Sequence, residues 1–233
     1  MEGSALSPEA NPLYMGLMPY GPKRGLGGST LNLRKWMSLF GTSILIGSAA
    51  AVIVGAALQL MDLEFRDVGA KGWLYNLFMM ALAGLSFGAF AHMGFFAYLM
   101  LNYISRSIFK RPYLWVATQG FVTVFVLVEI VYWTYGSDFP AATFWALPLA
   151  LTAAAAVVAW RKAHETTAGA YIPTMFFMIA VTSVEALPSF RSENIASLIF
   201  YLIPLFICNA YQILKLHRIL DNTVSENRTA QVN

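Results

Sequence analysis

The sequence predicts an all-α membrane protein: six transmembrane helices, with both termini in the cytoplasm. Three observations carry that reading. The first is composition: 58% of the 233 residues are hydrophobic and only 12% are charged, whereas soluble domains run near a quarter charged. The second is patterning. The charges cluster between six apolar runs, each near the ~20 residues that cross a hydrocarbon core of ~30 Å. The third is the placement of Lys and Arg. With alternating spans, one side holds Lys23, Arg24, Arg34, Lys35, Arg106, Lys110, Arg111, Arg161, Lys162, Lys215, Arg218 and Arg228. The other holds only Arg66, Lys71 and Arg191. The basic-rich side faces the cytoplasm. The net charge of +3 is too small to argue for a nucleic-acid partner. The single cysteine, Cys208, excludes an intramolecular disulfide.

Residues 1–35 read as a disordered cytoplasmic leader rich in Pro and Gly. Its glycine cluster, Gly25 to Gly28, follows no strand and is no phosphate loop. No cleavable signal peptide is visible, because the first apolar run begins only near Trp36 and is long enough to span. Span 1 covers about residues 36–61. Ser43, Gly47, Ala51 and Gly55 recur every four residues, the small-residue pattern that lets helices approach closely. A polar loop, 62–72, leads to span 2 at about 73–101, which is long enough to tilt or to project into the interface. Gly84 and Gly88 make its close-packing face. A short basic turn with Arg106, Lys110 and Arg111 anchors the next crossing, span 3, at about 113–135. After a tight turn at 136–140 comes span 4, about 141–160, where Pro148 predicts a kink. Span 5 covers about 171–188, with Pro173 in its first turn, where proline is tolerated. Span 6 covers about 195–216, with Pro204 inside, and 217–233 reads as a polar cytoplasmic tail. Together the six spans form one transmembrane domain, 36–216. Trp36, Trp73, Trp115, Trp133 and Trp160 fall near span ends, as interfacial tryptophans do.

No Walker loop, dinucleotide fingerprint, HExxH or GxSxG appears, and His92, His164 and His217 have no metal-ligand spacing. The expectation is therefore no catalytic residues, no metal and no cofactor. The informative set is the polar residues inside the spans, since an ionisable group in lipid normally faces the bundle or a cavity. Glu129 and Glu185 are the clearest. His92, Gln119, Asn209 and Gln212 form a second group, nearer the cytoplasm. For that second group hydrogen-bonded glue between helices is the plainer reading; for the two glutamates glue and a polar pathway stand level. At 1.5 Å per residue Glu129 lies ~24 Å into span 3 and Glu185 ~21 Å into span 5. Both then sit at similar height in the outer half and are expected to face inward, or into a small water-filled cleft opening outward, with Tyr132 one turn from Glu129 as a partner.

Four segments, HMGFFAYLMLNYI, FKRPYLWVATQ, YIPTMFFMIAVTSVEALPSFR and LIPLFICNAYQILKL, resemble, in the same order, the KinB-signalling pathway activation family (KbaA) of endospore-forming bacteria. The resemblance extends roughly from Leu33 to Leu216, so the leader has no counterpart in it. It implies an integral membrane protein needed for a sensor histidine kinase, KinB, to feed the sporulation phosphorelay. It implies no catalytic motif, and no active-site residue is carried over.

The expected function is thus non-catalytic: activation of a membrane sensor kinase, in the cell membrane, by intramembrane helix contact. The bilayer is the second partner, and a homo-oligomer is compatible with the small-residue faces. The alternative, from a different class, is a small transporter or lipid-handling protein using Glu129 and Glu185 beside Pro-containing helices. The two halves of the chain share no motif that would mark an inverted repeat. An intramembrane enzyme is the remaining, weakest option.

Overall fold

The computed structural model describes residues 33–62, 68–135, 143–190 and 194–232. The leader up to residue 32, residues 63–67 of the 62–72 loop with Arg66, the turn at 136–140, and Arg191 all lie outside the described residues. Within them the chain is helical with no strand, and six helices are long and apolar enough to cross a membrane. They are α1 (Leu33–Met61), α2 (Ala70–Ile108), α3 (Pro112–Tyr135), α4 (Thr143–Glu165), α5 (Ala168–Glu185) and α6 (Ile195–Val232). A single helical turn, Leu187–Phe190, lies between α5 and α6.

Helix boundaries follow local chemistry. α2 is 39 residues long, about 58 Å at 1.5 Å per residue, so it must tilt or project beyond the ~30 Å core. It runs past the expected end near Leu101 because nothing in Asn102–Ile108 breaks a helix and Asn102 and Ser105 are buried on its packed face. Phe109 then turns extended, at φ −87° and ψ 106°, with its N–H still bonded to the Ser105 carbonyl. Arg111 precedes a proline, which disfavours helical backbone there. Pro112 itself opens α3, a position where its missing N–H is no loss. Arg106, Lys110 and Arg111 are all exposed around this corner. α4 likewise continues five residues past Trp160, and Arg161 pairs with Glu165 one turn on, at 3.1 Å.

α5 has the expected length but lies three residues earlier than the expected span, at Ala168–Glu185. Pro188 cannot donate to the carbonyl four residues back, and the helix gives way at Ala186, whose ψ is near zero. α5 is also irregular. A 3-10 turn opens it, and Phe177–Val181 is wound as a π-helix. Asn194 caps α6, its Oδ1 accepting from the Ala196 and Ser197 N–H groups at 2.8 and 3.3 Å, which satisfies donors that a helix start otherwise leaves free. α6 then stays helical through the polar segment after Leu216, to Val232.

The spans pack as two groups. α1 lies along α2, and both hold α6; α3, α4 and α5 form the other group. α5 joins the two, since its π-helical stretch and last turn also meet α2 and α6. Its central place shows in burial: Phe176, Phe177, Met178, Ile179 and Ala180 are all buried. An α-helix with one packed face would not bury five consecutive side chains; a helix enclosed on all sides does. The rest of the core runs down one stripe of α2, through Phe87, Ala91, Phe95 and Tyr98. Residues three and four apart share a helix face, so this stripe points at α5 and α6.

Candidate functional site

The α1–α2 seam is built from small residues. A side chain starting at Gly47 would come within 2.5 Å of the Gly84 carbonyl oxygen and 2.8 Å of the Gly88 N. At Gly84 it would meet the Gly47 oxygen, Ser48 Cα and the Ala51 methyl; at Gly88, the backbone of Ser43 and Ile44. The two backbones touch, which only glycine allows. Gly55 lies further along, against Met80 and Phe200. α6 seals the same seam, with the Cys208 thiol 3.5 Å from the Ser43 carbonyl.

Three polar groupings lie inside the bundle. In the first, Asn209 of α6 donates through Nδ2 to Glu185 Oε2 at 2.7 Å and to Thr182 Oγ1 at 2.9 Å. The other carboxylate oxygen of Glu185, Oε1, is buried without a hydrogen-bond partner. It rests on α2 at Gly94, in the space a side chain there would need. In the second, His92 is enclosed by Phe40 and Phe96, ring centroids 4.9 and 4.8 Å away. Gln212 lies beside it, yet the Gln212 amide completes no hydrogen bond. In the third, Asn102 of α2 receives the Trp115 indole N–H at 2.8 Å and Gln119 Nε2 at 3.3 Å, tying α2 to α3 near the basic corner.

Glu185 therefore does not stand apart from the inner group. It shares a cluster with Asn209, while Gln119 belongs to a separate one. Glu129 takes no part in the Glu185 cluster; it is partly exposed on α3, and Tyr132 is 73% exposed. Asn102, Thr182 and Gly94 were not singled out by sequence. Asn102 was legible in principle, because it continues the stripe from Ala91, Phe95 and Tyr98 at helical spacing. Gly94 and Thr182 matter only through what folds against them, and no local pattern marks them.

Beside Glu185 a groove of about 770 Å³ opens on the flank of the bundle, between α2, the end of α5, and α6. Its floor includes Phe87, Tyr201 and Leu205, and its rim carries Phe90, Met93 and Val184. These rim side chains are 57%, 67% and 64% exposed, facing where lipid tails would lie. Apart from the Glu185 carboxylate the lining is almost wholly apolar, with the Tyr201 ring at one end. A mostly apolar pocket with one placed polar group has the form of a binding site. No group of three or more His, Cys, Asp or Glu able to hold a metal occurs among the described residues.

The family described as KinB-signalling pathway activation in sporulation, KbaA, matches residues 47–219. A curated relative, the KinB-signaling pathway activation protein of Bacillus subtilis (strain 168), is 26% identical over 190 residues, covering 78% of this chain and 96% of the relative. No solved structure matches.

Proposed function

We propose, for a chain that belongs to the family of KinB-signalling pathway activation in sporulation, that it works in the cell membrane by packing against a membrane sensor histidine kinase and favouring the kinase's active state. The family is described by a signalling role and not by a reaction. The observation that supports contact inside the bilayer is the brevity of the described links. Three residues join α2 to α3 and two join α4 to α5, so no folded domain stands between these spans to meet a partner. What these helices offer instead is large apolar side chains on their outer faces. Helices in lipid associate through close packing and hydrogen bonds, not through a hydrophobic effect. A partner that binds one state of the kinase better than another shifts the kinase by that difference in affinity.

In this reading both termini and the Arg106–Arg111 corner face the cytoplasm. The test is reconstitution. The kinase in proteoliposomes should autophosphorylate faster when this protein is co-inserted, and the two should co-purify in mild detergent. An unchanged rate together with no co-purification would end the reading. The alternative, a small transporter or lipid-handling protein, relies on Glu129 and Glu185 acting together, and Glu129 lies outside the Glu185 cluster.

A further inference from the structure

The groove beside Glu185 deepens the contact reading and rests on it. We propose that this groove seats one transmembrane helix of the partner kinase, and that the helix carries a hydrogen-bond donor, such as Ser, Thr, Asn or Gln, at the depth of Glu185.

The position of the carboxylate favours a helix over a lipid. Its partner Asn209 lies about 21 Å along α6 from Ile195 and about 10 Å from Leu216, within the hydrocarbon and away from both headgroup layers. Acyl chains bring no donor to that depth; protein side chains do. Glu185 is only half satisfied. Asn209 serves Oε2, and Oε1 has no donor among the described residues. Glu185 also lines the groove, so a turn of its side chain away from Gly94 brings Oε1 to a donor seated there.

The groove has the dimensions of a helix contact. Its α2 wall runs from Phe87 to Ala97, ten helical rises or about 15 Å, near three turns. That matches recognition of a helix through anchors at i, i+3 or i+4, and i+7. Gly94 and Ala97, one turn beyond Phe90 and Met93, keep the wall free of bulky side chains there, and over Gly94 the space holds the Glu185 carboxylate.

The experiment places a photo-crosslinking phenylalanine analogue at Phe90, Met93 or Val184. Controls carry it at Phe125 or Leu149, exposed on α3 and α4. All are expressed with the kinase in its native membrane. The expected result is capture of the kinase from the groove positions well above the controls. Capture from the controls alone, or equally from all sites, overturns the groove while leaving intramembrane contact standing. Capture of lipid alone at the groove overturns it too. Failure of all sites, with failed co-purification, removes the contact reading beneath it.

A second arm tests the donor. Glu185→Gln keeps one acceptor oxygen, which Asn209 occupies, and puts an amide NH2 where Oε1 stood, so it should weaken capture; Glu185→Leu at normal protein level should lose it. If the Leu variant fails to accumulate, Val184→Trp, which fills the mouth from an exposed position, should block capture. Retained capture in an accumulating Glu185→Leu protein, or in Val184→Trp, overturns the proposal.

Discussion

At the scale of single residues, the polar contacts differ in what their loss should do. Asn102 Oδ1 serves two donors, Trp115 and Gln119. Removing an acceptor strands its donors, whereas removing one donor leaves the acceptor occupied. Asn102→Leu should therefore destabilise the protein by about 1–3 kcal/mol, and Trp115→Phe should do less through this bond. Thermal unfolding in detergent compares them, and an Asn102→Leu protein with unchanged Tm would count against a shared acceptor. At Glu185 the governing fact is the donor from Asn209. Gln keeps an acceptor and should fold close to the parent. Ala leaves one of the two Asn209 N–H groups unserved, the other still meeting Thr182, and opens a void. Lys brings donors toward a donor and cannot accept, in a setting where charge is costly. The expected order of membrane accumulation is Glu, Gln, Ala, Lys, and a Lys protein as abundant as Gln would contradict the bond.

At the scale of elements, the α1–α2 contact and the course of α5 set the architecture. Gly47 meets the backbone of α2, but Gly41, two turns earlier on the same helix, has nothing within 4 Å of the place where a Cβ would stand. Gly47→Leu should cost about 1–3 kcal/mol or more, because backbone cannot yield as a flexible side chain does. Gly41→Ala should be neutral or stabilise by up to about 1 kcal/mol, since Ala is the better helix former. Equal Tm shifts for the two would remove the close-contact account. The four-residue spacing of Ser43, Gly47, Ala51 and Gly55 made this face readable in advance. The π-helical winding of α5 was not readable. Its residues, Phe177 to Val181, are apolar and β-branched or aromatic in part, and that composition is equally at home in an ordinary helix.

For the whole molecule, orientation is the open quantity with the sharpest test. The basic asymmetry puts Ile108, at the end of α2, on the cytoplasmic side. In a Cys208→Ser background, Ile108→Cys should resist an impermeant thiol reagent in intact cells and react once the membrane is opened. Val68→Cys, before α2, should react from outside. Reversed labelling would invert the topology. The same background suits the test because Cys208 is buried, its thiol facing a backbone carbonyl that a serine hydroxyl can also reach.

The sequence alone determined the class of molecule, the number of spans and their approximate limits. Those depend on the cost of placing backbone and charge in hydrocarbon, which each segment of ~20 residues settles by itself. It also marked Glu185, Asn209, His92 and Gln212 as polar groups in costly places. Only the tertiary structure decided which of them meet. Helix phase places Glu185 and Asn209 on facing surfaces, but a bond between them needs α5 to cross from α3 and α4 to α2 and α6. Nothing local to either residue encodes that crossing. The same holds for Glu129, equal to Glu185 by composition, yet left outside the cluster because it stands on α3, whereas the cluster forms where α5 meets α2 and α6.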